Sequence, residues 1–320
     1  MWNSVLTWMP MTLRTALAAV PSHIAAKAEE IRVREGRPLE VGFSGGFAFV
    51  EGSGRITDDP RLGLHPTRDD CLKLLDMATN HSLYTMEEQL KRGYITVAGG
   101  HRIGLAGRAV LERGAVRGLK EIGGFNIRIA REARGCAERL LPCLWDGRRN
   151  MLASTLIVSP PQRGKTTILR DLARTVAQTR KVGIVDERSE IAACVDGRPS
   201  FDVGPRTDVL DACPKAEGIM MMIRAMSPEV IFVDEIGREE DTAAVIEALH
   251  AGIAVVATAH GLDLDDVRRR PTLASLFRSG AFGRIVTLRA SGPPGSVGSV
   301  TNGDGALIEP IPAASIGSRR

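Results

Sequence analysis

The chain is short of several things, and each shortage removes a class of protein. Its five cysteines, Cys71, Cys136, Cys143, Cys194 and Cys213, are scattered and form no C-x-x-C pair. That spacing argues against a zinc site or a dithiol redox centre, and it fits a reduced, cytoplasmic setting. No apolar run approaches the ~18 residues of a membrane-spanning helix. The apolar start has no basic segment ahead of it and is interrupted by Pro10 and Arg14, so it does not read as a signal peptide. Aromatic residues make up 4% of the chain, too few to form a stacking platform for single-stranded nucleic acid. Lysine is scarce as well, with seven among the 42 basic residues. The arginines that make up the balance suit bidentate contacts to phosphate, and equally suit ordinary surface ion pairs. A net charge of +4 does not by itself argue for nucleic acid.

What is present is the composition of a soluble globular protein, 43% hydrophobic and 25% charged, with room in 320 residues for about two domains. Near the start, Leu13, Leu17, Val20, Ile24, Ala28 and Ile31 recur at spacings of three and four and predict an amphipathic helix. Residues 1–140 mix strand-like runs (EIRVREGRPLEV, GFAFV, YITVAGGHRIGLAG) with helices expected over Asp69–Thr79 and Thr85–Arg92. Glycine pairs mark the turns between these pieces, an α+β pattern. Residues 141–290 alternate short apolar runs (TLIVS, VGIVD, VIFVDE, IAVVATA, RIVTL) with helical stretches over Thr166–Gln178, Ala216–Met226, Thr242–His250 and Leu273–Arg278. That alternation predicts an α/β domain built on a parallel-rich sheet covered on both faces. Residues 291–320 are rich in Gly, Ser and Pro and are expected to be largely disordered.

The stretch VSPPQRGKTT, residues 158–167, follows an apolar strand and leads into a helix. A loop at such a junction aims backbone N–H groups and the helix N-terminus at an anion. Gly164 permits close approach, Lys165 would pair with outer phosphates and the Thr166 hydroxyl would coordinate Mg²⁺. The signal is incomplete, because G-x-x-x-x-G-K-[ST] asks for glycine where Ser159 stands. About seventy residues on, VIFVDE ends in Asp234 and Glu235, the form of a strand that carries a metal-holding aspartate and a water-activating glutamate. Asp186, Glu187 and Arg188 end another apolar run, and Thr258 and His260 a further one. A lone strand-end histidine is more often structural. Four polar strand ends on the edge where open α/β sheets bind ligands instead suggest a phosphate-sensing His260 and carboxylates near metal or water at Asp186 and Glu187. Met220, Met221, Met222 and Met226 read as core or subunit packing.

In that order, GKTT, IVDERSEI, an arginine before SPEVIFVDE, and TAHG resemble the type II and type IV secretion ATPases. EEIRVREGRPLEV, GGHRIGLAG, GFNIRIARE, SPPQRGKTT and VDERSEIAA are similar more closely to the stage III sporulation protein AA family, from about residue 29 to 288. The resemblance implies a RecA-like P-loop ATPase domain preceded by a smaller α+β domain, ATP and Mg²⁺ as ligands, and a hexameric motor. It also implies a place on the mother-cell side of a sporulation channel, peripheral to membrane proteins, with no nucleic acid partner. Carried over residue by residue, it makes Glu235, Lys165, Glu187, His260 and Arg224 catalytic. The loop residues Ser159, Pro160, Pro161, Gln162, Arg163, Gly164, Lys165, Thr166 and Thr167 would hold the nucleotide. Thr166, Asp234 and Asp186 would serve Mg²⁺, and Arg102, Arg108 and Arg128 are candidates to reach the phosphates. The family's loop reads G-P-P-G-x-G-K-T-T, so Ser159 and Gln162 both replace glycines; a glycine needed for positive φ costs about 1 kcal/mol or more to replace. Weakened nucleotide affinity is the expectation. The alternatives are a RecA-type ATPase acting on nucleic acid and a nucleotide-binding subunit with weak or no hydrolysis.

Overall fold

A computed structural model describes residues 2–309 apart from 44, 80–90, 92, 98, 113, 131, 148 and 196. The helix expected over Thr85–Arg92 falls, Lys91 aside, outside that set. The chain forms two compact units that divide between Arg131 and Glu132.

The described residues of the first unit form a seven-stranded antiparallel sheet and four helices, apart from Lys91 at the edge of the undescribed stretch. The expected continuous N-terminal helix is instead three short ones, α1 (Trp2–Leu6), α2 (Met11–Ala18) and α3 (Ser22–Ala25), followed by strand β1 (Ala28–Arg34). The sheet's other strands are β2 (Glu40–Phe43), β3 (Gly46–Val50), β4 (Ile56–Thr57), β5 (Tyr94–Val97), β6 (His101–Glu112) and β7 (Ala115–Arg128). Pro10 and Pro21 each stand immediately before a helix, where a ring without an N–H is tolerated and a preceding helix cannot continue. Ala28 and Ile31, which continue the helical spacing, therefore lie in a strand. In β1 Ile31 and Val33 are buried and Arg32 and Arg34 alternate outward, pairing with Glu30 and Glu40 at 2.8 and 2.9 Å. The helix α4 (Arg68–Ala78) starts at a capping box: Thr67 accepts from the Asp70 N–H, and Asp70 accepts from the Thr67 N–H. Residues of the helices and of the inner sheet face, among them Val5, Met9, Leu13, Leu17, Leu74, Ile103 and Phe125, share one core.

The second unit opens with the short helix α5 (Leu141–Leu144) and the paired short strands β8 (Trp145–Asp146) and β9 (Met151–Leu152). It carries an eight-stranded sheet in the order β12-β11-β13-β14-β10-β15-β16-β17, whose last two strands are β16 (Val297–Thr301) and β17 (Leu307–Glu309). Its parallel strands are β10 (Thr155–Ser159), β11 (Val182–Asp186), β12 (Thr207–Asp211), β13 (Val230–Val233), β14 (Ala254–His260) and β15 (Arg284–Leu288). Five of these are the apolar runs of the sequence. The sheet buries both faces, which is why those runs do not alternate. Ile157, Ile184, Phe232 and Val256 pack with Ile168, Leu169 and Leu172 of the helix that follows β10. Leu156, Val158, Ile231, Val233 and Val255 pack on the other face with Ile219, Val245 and Leu276. Within the methionine group, Met222 is buried and Met221 is 51% exposed.

The tail differs from expectation. Residues Val297–Thr301 and Leu307–Glu309 form antiparallel strands β16 and β17 on the edge beyond β15, and residues 310–320 lie outside the described set. Low hydrophobicity concealed a segment whose backbone is ordered by pairing with an already formed strand, and Val300 is fully buried.

Candidate functional site

β10 is central in the sheet and its last residue, Ser159, is in register with His260 at the end of β14. The next strand in the sheet, β13, ends at Val233, so Asp234 and Glu235 follow on the same edge. The C-terminal edge of a parallel sheet is where open α/β folds bind ligands, and the helix after β10, α6 (Lys165–Val176), begins there.

The loop between them holds its shape at small cost. Ser159 is buried and absent from the positive-φ positions; its hydroxyl donates to the Pro160 carbonyl at 2.9 Å. The glycine missing at this position therefore leaves no backbone strain. Gln162 is different: its φ of 60° is left-handed, worth about 1–2 kcal/mol against a residue with a Cβ, and its side chain is exposed. Gly164, at φ 85°, precedes the helix. Pro161 is exposed and Thr167 half-buried. Arg163 turns away from the helix N-terminus, donating to the carbonyls of Arg289 and Gly292.

Lys165 is buried. Its ammonium donates to the Ser159 and Pro160 carbonyls, both at 3.1 Å, and lies 3.1 Å from His260 Nδ1. Burial lowers its pKa, an effect opposed by Asp234 and Glu235. The other ring nitrogen of His260, Nε2, is 2.7 Å from Glu235 Oε1. An ammonium at Nδ1 requires a lone pair there, which assigns the proton to Nε2, facing Glu235. Thus one imidazole joins the loop lysine to the strand-end glutamate.

The Thr166 hydroxyl donates to Asp234 Oδ2 at 2.5 Å, while the Thr258 hydroxyl donates to Asp234 Oδ1. Thr258 also accepts from the Glu235 N–H at 2.8 Å, fixing Glu235 in a left-handed conformation at φ 51°. The second Glu235 oxygen meets Arg188 at 3.0 Å. Among the described residues no group of three or more His, Cys, Asp or Glu could hold a metal on its own. The Thr166–Asp234 pair of hard oxygens does fit Mg²⁺, which takes its other ligands from phosphate and water.

The remaining sequence candidates separate into two groups. Glu187 lies at the edge of the site with its carboxylate paired to Lys215. Burial disfavours its charge, but Lys215, with Arg238 and Arg188 beyond, outweighs burial and holds the carboxyl below its usual value. A shallow cleft opens between Glu187, Lys215, Asp234 and Glu235. Asp186 is not turned to a metal position. Its two oxygens accept the N–H groups of Glu190, Ile191 and Ala192 at 2.8–2.9 Å, and burial pushes it up to about 6. It shapes the loop after β11. Arg224 is exposed in the last turn of the helix α7 (Lys215–Ala225). That helix begins with Lys215 at the site, and its far end leads back to the start of β13, so Arg224 is not among the groups gathered at the strand ends. Arg102 and Arg128 are cross-strand partners in the first unit, with Arg102 over the Tyr94 ring at 3.5 Å; Arg108 is 3.7 Å from Glu121.

Sequence reasoning passed over Lys215, although a scarce lysine one residue after Pro214 at a helix start was a signal. It also named Thr258 and Arg188 without giving them roles. A hydroxyl in a strand that is otherwise alanine and valine up to His260 was the available clue.

The family described as Sporulation stage III, protein AA matches over residues 3–308. The Stage III sporulation protein AA of Bacillus subtilis is 46% identical over 312 residues, 96% of this chain and 97% of that protein. Among solved structures, the ATPase DotB of Legionella pneumophila is similar with a TM-score of 0.56 at 15% identity, covering 88% of this chain and 76% of its own. The pilus retraction motor PilT is similar with a TM-score of 0.54 at 18% identity, covering 82% and 74%. These likenesses establish an α/β, RecA-like P-loop fold. No described helix is long and apolar enough to cross a membrane.

Proposed function

We propose, because this chain belongs to the Sporulation stage III, protein AA family, that it is an ATP-hydrolysing motor of the secretion-ATPase type serving sporulation. One observation carries the reading: a single hydrogen-bonded net joins Lys165, Thr166, Asp234, Glu235, Thr258 and His260 at the ends of three parallel strands. The likeness in fold to PilT, whose structure has bound ADP, supports it.

In this reading Lys165 leaves the Ser159 and Pro160 carbonyls and pairs with the outer phosphates of ATP. Thr166 Oγ1, and Asp234 through water, would hold Mg²⁺, which when bound neutralises charge on the β- and γ-phosphate oxygens. Glu235 orients a water and takes its proton as the water oxygen bonds to the γ-phosphorus. The bond from that phosphorus to the bridging oxygen breaks, and ADP leaves with the electron pair. His260, deprived of Lys165, keeps Glu235 in place through Nε2. Glu187 and Lys215 border the water's approach. Assembly as a homo-oligomer, expected to be a hexamer, and cytoplasmic attachment to membrane proteins of a sporulation channel belong to the same proposal, in which the name of the Bacillus subtilis relative supports the link to sporulation alone.

A second reading, nucleotide binding with little turnover, is favoured by one observation: both Glu235 oxygens are already engaged, by His260 and Arg188. Mg-ATP binding and phosphate release measured on wild type, Glu235→Gln and Lys165→Ala separate the two. The motor reading expects Glu235→Gln to bind ATP without turnover and Lys165→Ala to lose binding. Hydrolysis unchanged in Glu235→Gln would sink the assignment of the base, and wild-type binding without phosphate release would establish the second reading.

A further inference from the structure

The turn between β15 and β16, in the segment expected to be disordered, is folded against the phosphate loop. Arg163 Nε donates to the Arg289 carbonyl at 3.1 Å and Nη2 to the Gly292 carbonyl at 2.9 Å. In return the Gly295 N–H donates to the Arg163 carbonyl at 2.8 Å. The two backbones touch: a Cβ added at Gly164 would stand 2.7 Å from the Gly295 nitrogen. The turn is itself stiff. Pro293 and Pro294 occupy its middle, and the Pro293 carbonyl accepts from both the N–H and the hydroxyl of Ser296, at 3.2 and 2.7 Å.

We infer that Arg163 is a positioning residue that braces the phosphate loop on the 289–296 turn, and that it does not bind phosphate by its charge. The inference rests on the nucleotide-binding reading above. Its physical basis is the strain on either side of Arg163. Gln162 at φ 60° and Gly164 at φ 85° are both left-handed, and only one of them is glycine. A conformation that the local sequence does not favour persists when its surroundings over-determine it. Here those surroundings are three hydrogen bonds to a turn pre-ordered by proline. Two guanidinium nitrogens are committed to carbonyls, so the fork, and not the charge, is what the site uses. The brace thus substitutes for the glycine that position 162 lacks.

The test is the dissociation constant of Mg-ADP and Mg-ATP for the full chain and three variants: Arg163→Ala, Arg163→Lys, and Pro293→Gly combined with Pro294→Gly. Wild type is measured first; no nucleotide binding by wild type would defeat the underlying reading and not this inference in particular. The brace expects Arg163→Ala and Arg163→Lys to weaken ADP and ATP by the same factor, about tenfold, because lysine keeps the charge and loses the fork. It expects the proline pair variant, with Arg163 intact, to weaken both at least threefold. KM should rise with the dissociation constant while kcat falls less than twofold. Wild-type affinity in Arg163→Lys would show a charge acting on phosphate and overturn the inference; so would wild-type affinity in the proline pair variant. If an Arg163 variant fails to fold, the proline pair variant decides alone.

Discussion

Replacing Thr258 by valine keeps the volume of the side chain and removes its hydroxyl. That hydroxyl is fully buried and makes two bonds: it donates to Asp234 Oδ1 and accepts from the Glu235 N–H. Valine leaves one carboxylate oxygen and one amide unpaired in a buried place, at about 1–3 kcal/mol each. The expected loss is about 3 kcal/mol, or roughly 6–12 °C in the melting of a unit of this size. Function should suffer separately. The bond to Thr258 holds Glu235 at φ 51°, and a displacement of about 1 Å in a reacting group costs on the order of a hundredfold in rate. Calorimetry with phosphate release at saturating Mg-ATP reads both effects. Thr258→Ser, which keeps the hydroxyl and loses a methyl, should cost about 1 kcal/mol and retain most of the turnover. A valine variant that melts within 2 °C of wild type and hydrolyses within twofold of it would refute the reasoning. So would a serine variant as damaged as the valine one.

Two other expectations concern titration. His101 is fully buried, accepts from the Ala130 N–H at Nδ1 and pairs with Ser4 through Nε2; burial pushes it down to about 4 from an ordinary 6.5. Between those values the unfolded chain binds the proton and the folded one resists it. Stability of the first unit is therefore lost as pH falls, by about 2 kcal/mol from pH 7 to pH 5; urea unfolding followed by tryptophan fluorescence, with His101→Gln as control, should show it. Cys71, Cys136, Cys143 and Cys194 are buried, and burial raises the thiols of Cys136 and Cys194 to about 12. Cys213, only partly covered, should therefore react first with a thiol reagent at pH 8, and Cys213→Ser should remove the fast phase.

Much of the second unit was legible because its strands are buried on both sides. TLIVS, VGIVD, VIFV, AVVATA and RIVTL need no periodicity to be recognised, only length and a scarcity of charge, confined to Asp186 and Arg284 at run ends. The strand-end polar residues followed from that, since a parallel sheet gathers its C-terminal ends. Side-chain commitments were not legible. Asp186 and Glu187 are adjacent in sequence, yet one is spent on three backbone amides and the other on Lys215. Of the loop's two departures from glycine only Gln162 sits at positive φ, because Ser159 still belongs to the strand. At the N-terminus a three-four spacing ran on through Pro21 into β1, where proline outweighed periodicity.

Strand β12 was missed for a reason that also explains its place. Its sequence, Thr207–Asp211, sets two carboxylates around Val209 and Leu210, a composition poor for a buried strand. It stands at the outer edge of the sheet, where unpaired backbone groups invite another chain to add itself. Asp208 is exposed there, and a passing strand would have to bring its own backbone alongside that charge. The residues that hide this segment from pattern reading are the ones that keep the sheet from growing into its neighbours.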